Sequence, residues 1–340
     1  MPRVEAEPLI LRLKSPFRIA HGSSTVRENV LTRIGDGFGE GAMPPYYGFQ
    51  MDEVLRYLRA LDPDRLLGGN PFHLQDALDA LPAGPAPARA AADMALHDHW
   101  GKLLGLPLYR LLGLNPERAP LSSVTLSIPE SADELRASIR RIAHLPILKL
   151  KLGTGNIERD SEIVREVREA TAARLCVDAN GAWSVQEAAR IIPELRAFAV
   201  DFVEQPIAAG NHDGWHELRS LLPPGGPLII ADESIQGPQD VLALAGAADG
   251  INVKLMKTGG LRGALRLIGL ARSLDMKVML GCMIESSLAV TAAAHLAPLA
   301  DFADLDGNLD LAQDPFNGAS LDNGRLRLPD APGLGATRHP

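Results

Sequence analysis

Ile147-Leu148-Lys149-Leu150-Lys151-Leu152 opens a pattern that recurs four times in the next hundred residues. It returns at Leu175-Cys176-Val177-Asp178, Ala199-Val200-Asp201-Phe202-Val203-Glu204, Leu228-Ile229-Ile230-Ala231-Asp232 and Gly250-Ile251-Asn252-Val253-Lys254. Each copy is a short β-rich run that closes on a charged residue. Apolar residues at helical spacing fill the intervals over Arg159–Thr171, Val185–Ala197, Trp215–Leu222 and Gln239–Ala245. Upstream, the same alternation predicts a strand at Leu121–Ile128 and a helix at Ala132–His144. Downstream it predicts a helix at Leu261–Leu274, a strand at Lys277–Met283, a helix at Leu288–Leu299 and a strand at Phe302–Asp306. Eight strands alternating with seven helices are what a closed barrel requires, so residues 116–324 are expected to form a modified TIM barrel, (β/α)7β, in an α/β protein. An open doubly wound sheet usually stops near six strands and carries a Gly-rich first turn, which is missing here.

Residues 1–115 follow another pattern. Strands are expected at Val4–Leu13 and Val30–Ile34, separated by a polar loop, Ser15–Arg27, that holds His21-Gly22-Ser23-Ser24. A Gly/Pro/Tyr loop over Gly37–Gly48 leads into helical spacing at Met51–Leu67, His73–Leu81 and Ala88–Leu112. This predicts a small N-terminal α+β domain, to which the tail 325–340 is expected to return. The 340 residues are 46% hydrophobic and 22% charged, which excludes wholesale disorder. A net charge of −8 argues against nucleic acid as a partner. The two cysteines, Cys176 and Cys282, cannot build a disulfide framework and suit a reducing compartment. Met1–Glu7 brings two acids and no apolar core, so no secretory signal is expected. The longest uncharged apolar run, Leu288–Ala300, is too short to span a bilayer. A soluble, cytoplasmic protein with no membrane partner is predicted.

Side chains at the carboxyl ends of barrel strands converge on one site. In order these ends carry Thr125, Lys149 and Lys151, Asp178 and Asn180, Glu204, Asp232, Lys254, Cys282, then Asp304 and Asp306. From Lys151 through Asp178, Glu204, Asp232, Lys254 and Cys282 to Asp304 the steps are 27, 26, 28, 22, 28 and 22 residues, about one βα unit each. Asp178, Glu204 and Asp232 end three successive strands, and three carboxylates without His or Cys make an oxygen-only site suited to a hard cation such as Mg²⁺. Lys151 and Lys254, on the second and sixth strands, face each other across that trio. Two opposed amines suit removal of a proton from one face of a carbon and its return to the other. A lysine serves as a base when burial and nearby positive charge lower its pKa, and Lys149, on the same strand face as Lys151, supplies such charge. A proton α to a carboxylate is very weakly acidic, and a divalent ion on the carboxylate oxygens stabilises the enediolate that its loss creates.

Mg²⁺ with a lysine base is the arrangement of enolase-superfamily sites. The motifs Lys149-Leu150-Lys151, Asp178-Ala179-Asn180, Glu204-Gln205-Pro206, Asp232-Glu233-Ser234 and Lys254-Leu255-Met256-Lys257-Thr258-Gly259-Gly260 resemble the muconate-lactonizing-enzyme subgroup of that superfamily. The resemblance covers nearly the whole chain, including an N-terminal capping domain and the tail Pro332-Gly333-Leu334-Gly335. It implies an enolase-like fold, with Lys151 and Lys254 as the acid/base pair. It also implies that Asp178, Glu204 and Asp232 hold one Mg²⁺ per subunit, Mn²⁺ being a possible substitute. Asp304-Leu305-Asp306-Gly307 looks like the Asp-x-Asp motif of dipeptide epimerases, whose two acids hold the substrate's α-ammonium. Strand eight lies opposite strand four, so a carboxylate on the metal and an ammonium on those acids would be about a dipeptide apart. Gly281-Cys282-Met283-Ile284-Glu285-Ser286 is similar to the seventh-strand segment of the same enzymes, and by that likeness Thr125, Lys149 and Cys282 would contact substrate.

The implied activity is a Mg²⁺-dependent dipeptide epimerase, an isomerase that inverts the α-carbon of the C-terminal residue by two-base 1,1-proton transfer. A homo-oligomer and a role in peptidoglycan peptide metabolism are expected with it. The alternative is another reaction on the same intermediate: N-acylamino-acid racemisation, o-succinylbenzoate synthesis or muconate cycloisomerisation. Their substrates have no ammonium for Asp304 and Asp306. A non-catalytic metal-binding protein of this fold would be expected to have lost a lysine or a ligand, and none is missing. Epimerases that accept L-Ala-L-Glu often carry arginine in the capping loop, where His21 and Ser24 stand here and Arg27 is nearby. The aromatic segment Met43-Pro44-Pro45-Tyr46-Tyr47-Gly48 suits a less charged side chain. Asp52 and Glu53 suit either a cationic one or a helix N-terminus. His97 and His99 point to different helix faces and are not expected to bind metal. Cys176 is expected in the core, Gly259-Gly260 in a tight turn, and Lys257, Gln205 and Glu233 facing away from the site.

Overall fold

The computed structural model describes residues 4–70 and 72–340; Met1–Arg3, the beginning of the N-terminal stretch read above, lie outside them. Strands β1 (Val4–Ile19) and β2 (Gly22–Ile34) form one long antiparallel hairpin that turns at Ala20-His21. The loop expected over Ser15–Arg27 is therefore the tip of this hairpin, with Phe17 opposite Ser24 and Arg18 opposite Ser23. Most of its residues are polar and only Phe17 and Ile19 mark an apolar face on the first strand, so the backbone ladder is what makes the segment a strand.

A second correction concerns β3 (Gly37–Gly41), which pairs with β2 where a loop was expected. Its glycines lie against the backbone of a helix. A Cβ would come within 2.0 Å of the Ala95 carbonyl oxygen at Gly37, 1.9 Å of that of Ala91 at Gly39, and 2.2 Å of that of Pro87 at Gly41. The composition that reads as a turn is here a close approach of strand to helix. Helices α1 (Met51–Arg59), α2 (Pro63–Leu67), α3 (Leu74–Asp79), α4 (Ala86–Leu104) and α5 (Leu108–Leu111) complete this part. Two expected helices are broken: Asp62 caps a new start at Pro63, and Gly105, at φ 70°, ends α4.

The eight barrel strands fall where the sequence places them. They are β4 (Val124–Leu126), β5 (Ile147–Lys151), β6 (Arg174–Asp178), β7 (Val200–Glu204), β8 (Leu228–Ala231), β9 (Gly250–Val253), β10 (Lys277–Gly281) and β11 (Phe302–Asp304). Between them run α6 (Ala132–Ile142), α7 (Ile157–Ala170), α8 (Val185–Leu195), α9 (His212–Leu221), α10 (Pro238–Ala243), α11 (Leu255–Thr258), α12 (Leu261–Ser273) and α13 (Ser287–Ala294). α11 is a single extra turn directly after β9. The sheet runs in order from β4 to β11, all parallel. It closes where the Ser123 N–H donates to the Ala303 carbonyl at 2.9 Å. No helix follows β11. The chain continues instead into two short antiparallel pairs, β12 (Phe316–Asn317) with β15 (Thr337–Arg338) and β13 (Ser320–Asp322) with β14 (Arg325–Arg327). Inside the barrel, below the rim, Cys176 packs with Phe202, Ile230 and Met279 as a buried plug.

The N-terminal elements sit on the barrel through buried polar contacts. Asp93 of α4 accepts the Leu261 N–H at 2.6 Å, capping α12, and His97 packs 3.2 Å from Asp93. His99 lies elsewhere, accepting from the Asp36 N–H. The buried Glu40 carboxylate takes Asn29 Nδ2 at 2.7 Å and the Ser286 backbone and hydroxyl. Glu285 is buried beside it; burial, then the Glu40 charge, pushes its carboxyl up to about 8. In the tail, the Gly333 carbonyl accepts from Leu108 and the Leu334 N–H donates to Asp98. No helix among the described residues is long and apolar enough to cross a membrane.

Candidate active site

A strand that ends at the barrel mouth points its last inward side chain at the axis. Asp178 and Glu204 end β6 and β7, Asp232 directly follows β8, and all three are fully buried. One oxygen from each lies within 4.8 Å of the others. Such a group is unstable as three bare charges. Burial and repulsion from Asp178 push the Glu204 carboxyl up to about 8. At Asp178 burial works the same way, but the charges of Lys151 and Lys149 outweigh it and hold the pKa near 2. Burial is likewise outweighed at Asp232, by Lys254 and Lys257. Glu204 Oε2 has no hydrogen-bond partner. Lys149 Nζ stands 2.7 Å from it as a charge contact without hydrogen-bond alignment. An all-carboxylate donor set with a buried free oxygen and one acid resisting ionisation fits a hard divalent cation.

The two lysines flank this group. Lys151 Nζ donates to Asp178 Oδ2 at 2.6 Å, and Lys254 Nζ to Asp232 Oδ2 at 2.7 Å. Burial opposes the charge of Lys254, yet Asp232 and Glu204 outweigh it and hold the pKa well above its usual value. Each of these aspartates also holds a second buried lysine. Lys149 lies 3.2 Å from Asp178 Oδ2, and Lys257 donates to Asp232 Oδ1 at 2.6 Å, to the Asp232 carbonyl at 2.6 Å and to the Asn252 carbonyl at 3.0 Å.

Lys257, Gln205 and Glu233 were expected to face away; Lys257 instead bonds the Asp232 carboxylate and Glu233 bonds Asn180, whereas the Gln205 side chain stays among the loops behind the rim. Lys257 stands one helical turn beyond Lys254, on the same side of α11, which is the signal that could have found it. Gln205, at φ 38°, accepts the N–H groups of Asp232 and Ser234 on its Oε1 and ties the β7 loop to the β8 loop. Glu233 accepts from Asn180 Nδ2 at 3.0 Å and lies 3.7 Å from His21 Nε2. Asn180 also donates its backbone N–H to Asp178 Oδ1.

Across the mouth, the end of β11 and the turn after it supply two unequal acids, Asp304 and Asp306. Both Asp304 oxygens are engaged, one by the Ser123 hydroxyl and one by Lys149, each at 2.6 Å. Asp306 accepts the Thr125 backbone N–H at 2.6 Å and has no lysine or arginine partner among the described residues; burial and the Asp304 charge push its carboxyl up to about 6. Cys282 Sγ bridges the Asp304 carbonyl and the Gly307 N–H and holds this turn. Burial and Asp306 keep it a thiol.

A cavity of about 430 Å³ is lined by Thr125, Lys149, Lys151, Asn180, Lys254, Cys282, Asp304 and Asp306. From above, the hairpin brings Ile19, Arg27 and Asn29 into it, and Tyr46 follows from the next loop. The Arg27 guanidinium has no carboxylate partner among the described residues, and burial lowers its pKa. Of the residues expected at the cap, His21 stacks on Tyr46 at 4.7 Å, whereas the Ser24 hydroxyl turns to the Val26 carbonyl. Asp52 and Glu53 are exposed in the first turn of α1, away from the cavity.

Residues 6–113 match the mandelate racemase/muconate lactonizing enzyme N-terminal domain, and residues 130–339 the enolase C-terminal domain-like family. The chain is 40% identical to the L-Ala-D/L-Glu epimerase of Bacteroides thetaiotaomicron, over 97% of this chain and 86% of that protein. A substrate-liganded L-Ala-D/L-Glu epimerase from Bacillus subtilis superposes with a TM-score of 0.90 at 30% identity, covering 98% of both chains. A dipeptide epimerase from Enterococcus faecalis, complexed with Mg and L-Leu-L-Tyr, does so with a TM-score of 0.87 at 31% identity over 99% of both.

Proposed function

The chain belongs to the mandelate racemase/muconate lactonizing enzyme family of enolase-like proteins, and from that premise we propose that it is a Mg²⁺-dependent dipeptide epimerase acting on the α-carbon of the C-terminal residue. One observation carries the reading. Lys151 and Lys254 stand four strands apart in an eight-stranded barrel, each bonded to an outer member of a carboxylate trio, with the cavity between them.

Asp178, Glu204 and Asp232 would hold the ion, which when bound draws off the charge that develops on the substrate carboxylate. Lys151 Nζ takes the α-proton on one face, and Lys254 Nζ delivers one to the other; the reverse reaction exchanges their roles. Asp306, the rim acid without a cation, receives the α-ammonium, while Asp304 is committed to Lys149 and Ser123. A substrate without an ammonium would leave Asp306 buried and uncompensated, which disfavours the racemase, synthase and cycloisomerase readings. Arg27, uncompensated beside Tyr46, supports an acidic side chain on the residue being inverted. Mn²⁺ as a substitute, a cytoplasmic setting, a homo-oligomer and murein-derived peptides as substrates belong to the same reading. The likeness to L-Ala-D/L-Glu epimerases supports the peptides, and the free buried cysteines support the compartment.

The test is mass spectrometry of L,L-dipeptide libraries in D₂O with Mg²⁺. One deuterium gained per turnover, lost with a chelator and restored by Mg²⁺, is the expected result. Exchange confined to N-acylated amino acids would overturn the reading.

A further inference from the structure

The barrel has eight strands and seven long helices, so the seam between β4 and β11 lacks the helix that would cover it. The seam is closed largely through side chains: besides the Ser123 N–H on the Ala303 carbonyl, the Leu305 N–H reaches Ser122 Oγ at 2.8 Å, the Ser123 hydroxyl donates to Asp304 and the Thr125 N–H to Asp306. The catalytic cavity does not stop at Asp306. It continues over this seam beneath β1 to the outer face of β4, where Phe17, Val124, Leu126, Ile142, Leu145 and Leu321 line it. Side chains alternate along a strand. Thr125, whose N–H holds Asp306, therefore faces the mouth, and its neighbours Val124 and Leu126 face the outer groove.

We infer that this groove is a subsite for the side chain of the substrate's amino-terminal residue and that it selects a long apolar one such as Leu, Met or Phe. The inference rests on the epimerase reading. With the ammonium on Asp306, the amino-terminal α-carbon is one bond away, and its side chain starts at the edge of the groove. The walls are largely apolar, with Ser138 and Asn323 as uncharged polar groups among them. At the far end the charged groups are Lys14 and Arg141, both exposed, and Asp310, whose Oδ2 is already taken by the Ser15 N–H and hydroxyl. A lysine or arginine side chain would meet cations there, and an alanine would leave the groove unfilled.

The experiment measures kcat/KM for dipeptides bearing Ala, Leu, Met, Phe or Lys first, each joined to an acidic and to an apolar second residue. About a tenfold or greater advantage of Leu, Met or Phe over Ala is expected, with Lys below Ala. Ser138, half-buried on the α6 wall, offers a block: Ser138→Trp is expected to cut the Leu-to-Ala ratio at least tenfold, while Arg140→Ala, exposed on the same helix, leaves that ratio unchanged. Ala equal to or better than Leu in the wild type, or a ratio unmoved by a folded Ser138→Trp protein, overturns the subsite and leaves the epimerase standing. Absence of exchange with every dipeptide overturns the epimerase reading and the subsite with it.

Discussion

At the barrel rim four lysines each hold a carboxylate within 2.7 Å, whereas under the cap hairpin Arg27 holds none. The rim groups stand on or just beyond strand ends fixed by the barrel ladder, so their mutual distances are set before any substrate arrives. Arg27 and Tyr46 belong to a hairpin and a loop that lie over the cavity and are not held by the barrel ladder. The rim is built to keep charges in place, and the cap to leave one charge for a ligand. Substitutions at the rim should therefore abolish chemistry, and substitutions in the cap should change which dipeptide is accepted.

The largest effect is expected at the lysines. Replacing Lys151 or Lys254 with alanine should lower epimerisation roughly 10²–10⁴-fold, because half of a two-base device is gone. Each variant should still exchange the α-proton of the one epimer that faces the remaining lysine, read as deuterium incorporation without inversion. Exchange from both epimers in either variant would show that the rim does not divide the faces.

Next comes the contrast between Asp304, at the end of β11, and Asp306, in the turn beyond it. Asp306→Asn should raise KM for dipeptides about tenfold or more, since it removes the acid of the Asp304/Asp306 pair that no cation already holds. Asp304→Asn should lower thermal stability as well, because Lys149 loses its 2.6 Å partner inside the protein. If both variants fall equally in KM without loss of melting temperature, the two acids share one role. At the cap, Arg27→Ala should cost acidic C-terminal residues about tenfold in kcat/KM and spare apolar ones. Equal losses on both would return Arg27 to a structural part.

The smallest effect is one of stability and pH. The Glu285 carboxyl is raised from 4.5 to about 8, so between those values the folded chain holds a proton that the unfolded chain has released. Stability from this group therefore falls as pH rises through that window. Glu285→Gln should melt a few degrees above the wild type at pH 9 and close to it at pH 4.5, with a smaller gain between, by calorimetry. A gain that is the same at both values would contradict the buried-acid account.

Much of the rim was legible because strand ends recur with the βα period, and a carboxylate or lysine at such an end has one place to point. Lys257 escaped that reading because it stands beyond the strand, on a turn of helix whose inward face appears only once α11 is seated. The cap was harder. Gly37, Gly39 and Gly41 look like a turn, and only the carbonyls of Pro87, Ala91 and Ala95 explain them as a strand. The returning strand of the hairpin tip, Ser23–Arg27, is polar but for Val26, so nothing in its composition placed Arg27 at the cavity rather than Ser24.

By itself the sequence determined the order of strands and helices and the identity of the groups at the mouth, because hydrophobic period and pleat act within a few residues of each other. Which charges pair was decided by closure. Ser123 and Thr125 come within hydrogen-bond reach of Asp304 and Asp306, about 180 residues later, only when the eighth strand meets the first. That closure leaves Asp306 without a cation, and the missing last helix leaves the seam beside it open. Both are properties of contacts between distant segments, which no local pattern encodes.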